Sequence, residues 1–265
     1  MSRALAGPMI AADILKLRRH RPTMAAATAL SVGVTALYLA VILARHNGQL
    51  PGARTLGDGT SLMGLYFGSF AAILIGTEAG TIDVTAGVFR DLAATGRSRT
   101  ALFLTRVPAA IAVALAFTLS GFLLTVAAAF AFHGATPVPG PGLIAESALW
   151  VVLATAVITA LAVGAGSLTG SRAVTLTAII GWQTVASGML YLATFLGAAR
   201  DLVLVFAVSR FQPGPAIGTR VNPGSTNALN NLKLPMPAVT AVLVILAWLI
   251  AAAAAGAWRT RTRDA

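Results

Sequence analysis

The chain has 265 residues, is 57% hydrophobic and only 10% charged, and carries a formal net charge of +11 with no cysteine. Soluble domains carry about 25% charged residues, so this chain has too few to cover a globular surface, and its composition is that of a membrane protein. Disulfides and thiolate metal sites are excluded, and the positive charge is read as the basic excess of cytoplasmic membrane loops rather than as a nucleic-acid surface.

Residues 1–23 form a basic arm. Leu5, Met9, Ile10, Ile14 and Leu17 recur at helical spacing, and Arg3, Lys16, Arg18 and Arg19 flank that stripe. This predicts an interfacial helix on the inner leaflet. So long a polar lead argues against a cleaved signal peptide. The first apolar run, Met24–Ala44, is long enough to span, since roughly 20 apolar residues suffice. Arg45–Thr60 contains Gly and Pro and reads as a loop. The second span is expected at Ser61–Gly80, and the charged stretch 81–100 follows.

Later spans are expected at Val107–Phe132, Ala145–Leu168, Val174–Leu196 and Pro237–Trp258, with "HGATPVPGPG" as the turn before the fourth. Segment 197–236 holds "DLVLVFAVSRF", too short to span, and reads either as a re-entrant helix or as one lying on the outer surface. No ten-residue alternation of the β-barrel kind is present. The fold class is therefore an all-α polytopic membrane protein, one transmembrane domain over 1–265 with six transmembrane helices.

Six spans bring both termini to one side. With the termini inside, 13 basic residues face the cytoplasm: Arg3, Lys16, Arg18, Arg19, Arg21, Arg90, Arg97, Arg99, Arg106, Arg172, Arg259, Arg261 and Arg263. The remaining 6, Arg45, Arg54, Arg200, Arg210, Arg220 and Lys233, face outward. The excess selects N-in and C-in.

Chemistry is sparse. His20, His46 and His133 have no metal-ligand spacing. The two lysines, Lys16 and Lys233, each follow Leu, so no G-x-x-x-x-G-K-[ST] phosphate loop exists. The span interiors are nearly free of ionisable residues, which argues against a proton-coupled carrier. Glu78 lies at the inner end of span two. Arg106 lies at the inner start of span three, where it can snorkel.

The stretch "TIDVTAGVFRDLAATGRSRT", 81–100, is different. On a helix over 82–95, Ile82, Ala86, Val88, Phe89, Leu92 and Ala93 share one face, while Asp83, Arg90 and Asp91 share the other. Gly96 stands where an αL residue ends a helix, and Ser98 is placed to cap the next one. A short amphipathic cytoplasmic helix is the expectation. By itself the pattern fits a helix resting on lipid and one docked to a partner equally well.

Gly76 to Arg106, "GTEAGTIDVTAGVFRDLAATGRSRTALFLTR", resembles the first cytoplasmic loop of the type-2 ABC transporter permeases, the membrane subunits of many bacterial exporters. Glu78, Gly80-Thr81, Gly96 and Ser98-Arg99 match the family's order of acid, Gly-Thr, coupling helix, Gly or Pro, and Ser-Arg. Only Ala79 separates the acid from Gly-Thr, a shorter gap than in many members. The N-terminal elbow-like helix and the segment between spans five and six agree in order.

The resemblance implies a permease subunit in a bacterial cytoplasmic membrane. It would pair with a second permease subunit and with a separate ABC ATP-binding subunit. ATP and Mg would bind that ATPase, and no cofactor would bind this chain, which is then no enzyme itself. Val88, Phe89 and Leu92 would enter the ATPase groove, with Arg90, Asp91 and Arg97 at its rim. Glu78 at the inner gate would pair with Arg99 or Arg106. The cargo would be amphipathic or lipid-like, a class that such apolar spans suit as well as they suit contact with membrane lipid. A stand-alone carrier or channel, or a membrane-embedded enzyme or assembly factor, are the other readings of the composition.

Overall fold

The computed structural model describes residues 3–45, 47–50, 52–85, 87, 98–186, 188–189, 194–213 and 236–262. The regular elements among them are all helical. Helix α1 (Arg3–Arg19) is the N-terminal arm, and α2 (Arg21–Arg45) follows it, with a π-helical turn at Ala29–Gly33. Helices α3 (Gly52–Gly64) and α4 (Phe67–Thr85) form one pole broken at Leu65 and Tyr66. Then come α5 (Arg99–Ala131), α6 (Pro141–Thr169) and α7 (Arg172–Gly181), which runs on into a π-helical turn at Trp182–Ala186. A 3-10 segment, Thr194–Leu202, precedes the short α8 (Leu204–Ser209), and α9 (Ala238–Thr262) is last.

Five helical stretches are long and apolar enough to cross a membrane: α2, α3–α4, α5, α6 and α9. They make the chain a multi-pass helical protein of the kind that occupies membranes. The α3–α4 pole is central, with 78% of its spanning window buried against 22% for α2 and 17% for α9. Those outer helices expose Leu37, Val239, Leu243 and Ile250, side chains that a lipid solvent accepts without cost.

The fifth expected span, Val174–Leu196, falls partly outside the described residues; within it α7 runs to Gly181 and on into the π-helical turn, and residues 188–189 are again helical. One expectation is corrected. The expected loop Arg45–Thr60 is helical from Gly52, and most of α3 is buried.

This correction has a packing cause. Gly59 of the expected loop, like Gly64 of the expected span, is a contact point between helices. A Cβ on Gly59 would stand 2.1 Å from Thr125 Cγ2, and one on Gly64 would stand 2.2 Å from Trp150 Cζ3. Gly76 and Gly80 do the same where α4 lies on α6: a Cβ there would come within 2.7 Å of Ala162 Cβ and 2.6 Å of the Val163 carbonyl. Helices in lipid associate by such close approach of small residues.

Val203–Ser209 is buried in the fold. Trp150 Nε1 donates to the Val208 carbonyl at 2.9 Å, and Gln212 Nε2 donates to Ser61 Oγ at 2.6 Å. The Val208 carbonyl at the end of this short helix is thus met by a side chain, as buried backbone requires. The two chain ends meet at one end of the bundle. Asp13 of α1 accepts a hydrogen bond from Thr105, and Arg261 of α9 donates to Thr100, both on the first turns of α5.

Candidate functional site at the arm end of the bundle

The last turns of α4, the first turns of α5, the arm and the start of α7 share one end of the molecule, and the buried charged residues Glu78, Asp83 and Arg106 are there. Glu78 and Asp83 stand five residues apart on α4, about 140° round the helix at 100° per residue. They therefore face different neighbours. Both are buried, at 4% and 2% exposure.

Asp83 turns toward the arm and α5. Its two oxygens are held separately, one by Lys16 Nζ and the other by Arg106 Nη2, both in direct contact. The Arg106 side chain is only 5% exposed, whereas Lys16 is 36% exposed. Asp13, one turn before Lys16, accepts from Thr105 Oγ1 at 3.1 Å. Burial pushes the Asp13 carboxyl above its ordinary value, against the Thr105 hydrogen bond and the nearby Lys16 and Arg106 charges, which lower it.

Glu78 turns toward the junction of arm and first span. Arg172 Nη1 lies 3.1 Å from Glu78 Oε2, and the Thr23 hydroxyl donates to the same oxygen at 3.2 Å. Thr23 Oγ1 also accepts from Arg172 Nη2 at 3.2 Å and lies 2.7 Å from His20 Nδ1. Its one hydrogen goes to Glu78, so His20 Nδ1 is the donor to Thr23. His20 Nε2 then faces Glu78 Oε1 at 3.6 Å. His20 is also the residue that separates α1 from α2.

The cluster sets three carboxylates, Asp13, Glu78 and Asp83, among three permanent cations, Lys16, Arg106 and Arg172, with His20 beside them. Such balance lets ions sit in an apolar fold, since an unpaired buried charge costs several kcal/mol. No group of acids and histidines able to hold a metal occurs among the described residues. The arrangement is a clamp. It ties the arm to both helices that flank residues 86–97.

The expected site residues fall unevenly. Val88, Phe89, Arg90, Asp91, Leu92 and Arg97 lie outside the described residues, as does Gly96. Arg99 opens α5, and Ser98 caps it, its Oγ accepting from the Ala101 amide at 3.2 Å. Arg106 does not snorkel; it is buried on Asp83. Nor does it pair with Glu78, whose partners are Arg172, His20 and Thr23. Asp83 does not sit on the polar face of a helix starting at 82. Residues 82–85 continue α4, which ends before Gly87 (φ 69), whose amide bonds to the Val84 carbonyl at 3.2 Å.

Sequence reasoning missed Asp13, Lys16, His20, Thr23, Asp83 and Arg172 as one set. A usable signal existed. Lys16 and His20 are one turn apart on the arm, and an acid placed just past a span already ending in Glu78 needs cations nearby.

A separate apolar cavity of about 240 Å³ lies between α6, α7, α8 and α9. Ile158, Ile179, Val205 and the Trp182–Trp248 pair (ring centroids 6.2 Å apart) line it, with Gln183 as its polar group. Gln183 Nε2 donates to the Leu65 carbonyl at 2.9 Å, in the break between α3 and α4. No protein-family model, curated protein or solved structure matches this chain.

Proposed function

We propose that the chain is the permease subunit of an ATP-driven ABC exporter in a bacterial cytoplasmic membrane. It works with a second permease subunit and a separate ATP-binding subunit that holds ATP and Mg. One observation carries the reading: the Lys16–Asp83–Arg106 contact joins the arm, the end of α4 and the start of α5 around residues 86–97. A partner pressing on that segment moves three elements at once, because the clamp resists their separation. The amphipathic pattern of 82–95 supports the partner side of the argument from Val88 onward. Export and the identity of the partner rest on the resemblance of residues 76–106. The Trp-lined cavity between α6 and α9 suits an amphipathic or lipid-like cargo, being apolar with one amide.

The test is co-expression with the candidate ATPase and Phe89→Asp. The variant should insert normally yet lose co-purification of the ATPase or lose transport. Association and transport both intact would remove the docking role of Phe89.

A stand-alone carrier is favoured by one different observation: Glu78 and Asp83 are buried carboxylates inside a membrane-length stretch, where acids commonly mark ion pathways. Uptake or release by proteoliposomes of the purified chain alone, driven by a pH gradient, would select that reading.

A further inference from the structure

A groove of about 420 Å³ opens where the arm leans against the bundle. Its walls are Ile14 and Arg18 of α1, Met24 of α2, and Ala112, Ala116 and Phe117 of α5. Apart from Arg18 the lining is apolar. Ile14 and Arg18 are i and i+4 on α1 and share a face. Asp13, Lys16 and Leu17 occupy the neighbouring face, which is laid on α4 and α5. Packing the arm onto the bundle by that second face turns Ile14 and Arg18 to the groove.

Charge separates Arg18 from the three cations of the clamp, and lining the groove separates it from Arg19 and Arg21, which likewise make no ion pair among the described residues. Lys16, Arg106 and Arg172 are each committed to a carboxylate. Arg18 is exposed and makes no ion pair among the described residues. It lies three residues before Arg21, where the first candidate span begins, and basic residues flanking a span gather at the membrane surface. One turn into that span, Met24 marks the start of the apolar wall. A cation at the mouth with a hydrocarbon-lined trough below it is complementary to an anionic amphiphile, and the volume is in the range of small-ligand sites.

We infer that this groove holds one anionic phospholipid of the surrounding membrane, its phosphate on Arg18 and an acyl chain along Ala112, Ala116 and Phe117. The guanidinium fork suits a phosphate by paired hydrogen bonds. The bound lipid would fill the angle between arm and bundle and hold the arm in the position that the Asp83 clamp needs. The inference does not rest on the transport reading, and it holds for a carrier or an exporter alike.

The experiment reconstitutes the full chain in vesicles of phosphatidylcholine and phosphatidylglycerol, extracts it in mild detergent, and counts retained lipids by native mass spectrometry. The wild type should keep one phosphatidylglycerol in preference to phosphatidylcholine. Arg18→Gln should cut that retention about fivefold, the worth of one basic side chain at an anionic surface. Ala116→Trp, which fills the trough at an exposed position, should abolish it, while Arg21→Gln, exposed but outside the groove, should leave it unchanged. Equal retention of the two lipids would overturn the site. So would an Arg18→Gln protein that keeps its phosphatidylglycerol, or an Arg21→Gln protein that loses as much as Arg18→Gln, the mark of diffuse attraction. Each variant is read only on protein that elutes as wild type by size exclusion, and Arg18→Gln, at a solvent-exposed position, keeps the test open should Ala116→Trp misfold.

Discussion

Asp83 joins the arm to both α4 and α5. Each of its oxygens meets a different cation, and one of those cations, Arg106, is buried. Asp83→Asn therefore leaves a buried guanidinium without its counter-charge, a loss of about 3–5 kcal/mol by the measure of broken buried pairs. Lys16 suffers less, because it is partly exposed and can turn to water. The expected result is a large fall in the unfolding midpoint of the detergent-solubilised protein. The double variant Asp83→Leu, Arg106→Met should recover much of the loss, since an apolar pair replaces an ionic one at little cost. A single variant as stable as wild type would show that Asp83 is not the anchor. That both ends of this pair exist was visible in the residues; that they touch was not. Asp83 looked like the polar face of a new helix because local periodicity carries no information about a partner 23 or 67 positions away.

At the scale of elements, glycine carries two meanings. Gly52 and Gly59 stand in the expected loop Arg45–Thr60, yet both lie in α3, and Gly59 meets Thr125 of α5. Its helix-breaking tendency, about 1 kcal/mol per residue in a water-exposed helix, yields to the packing it permits. Gly76→Leu should force α4 off α6 and cost about 1–3 kcal/mol or more through overpacking. Gly142→Leu, in the first turn of α6, meets nothing within 4 Å and should change stability by no more than about 0.5 kcal/mol. The comparison is made by denaturant titration in mixed micelles. Equal effects at the two positions would mean that α4 and α6 do not depend on close approach. Helix existence for α2, α5, α6 and α9 was legible because twenty-odd apolar residues leave a chain few alternatives. The described parts of Arg172–Ser209 were less legible: α7, a π turn, a 3-10 segment and the short α8 alternate there, and apolar content alone does not fix such a sequence of helix types.

For the whole molecule, the basic excess predicts an orientation with the arm inside, and the structure adds that the arm and the end of α9 share one end of the bundle. With no native cysteine, the chain suits single-cysteine labelling. In intact cells a membrane-impermeant maleimide should label a cysteine at Gly140, before α6, and spare one at Arg19. Labelling of Arg19→Cys alone would overturn the predicted orientation and with it the expectation that residues 86–97 face the cytoplasm. Composition by itself determined that the chain is a bundle of apolar helices with a basic arm, because hydrophobic content and charge bias act through the solvent and need no knowledge of contacts. The tertiary structure alone decided which acid meets which cation, which helices meet at Gly59, Gly64, Gly76 and Gly80, and that the arm is clamped to the helices on both sides of 86–97. Those are pairwise matters: buried charges and close-packed backbones are stable only beside particular partners, and the partners lie far apart in the chain.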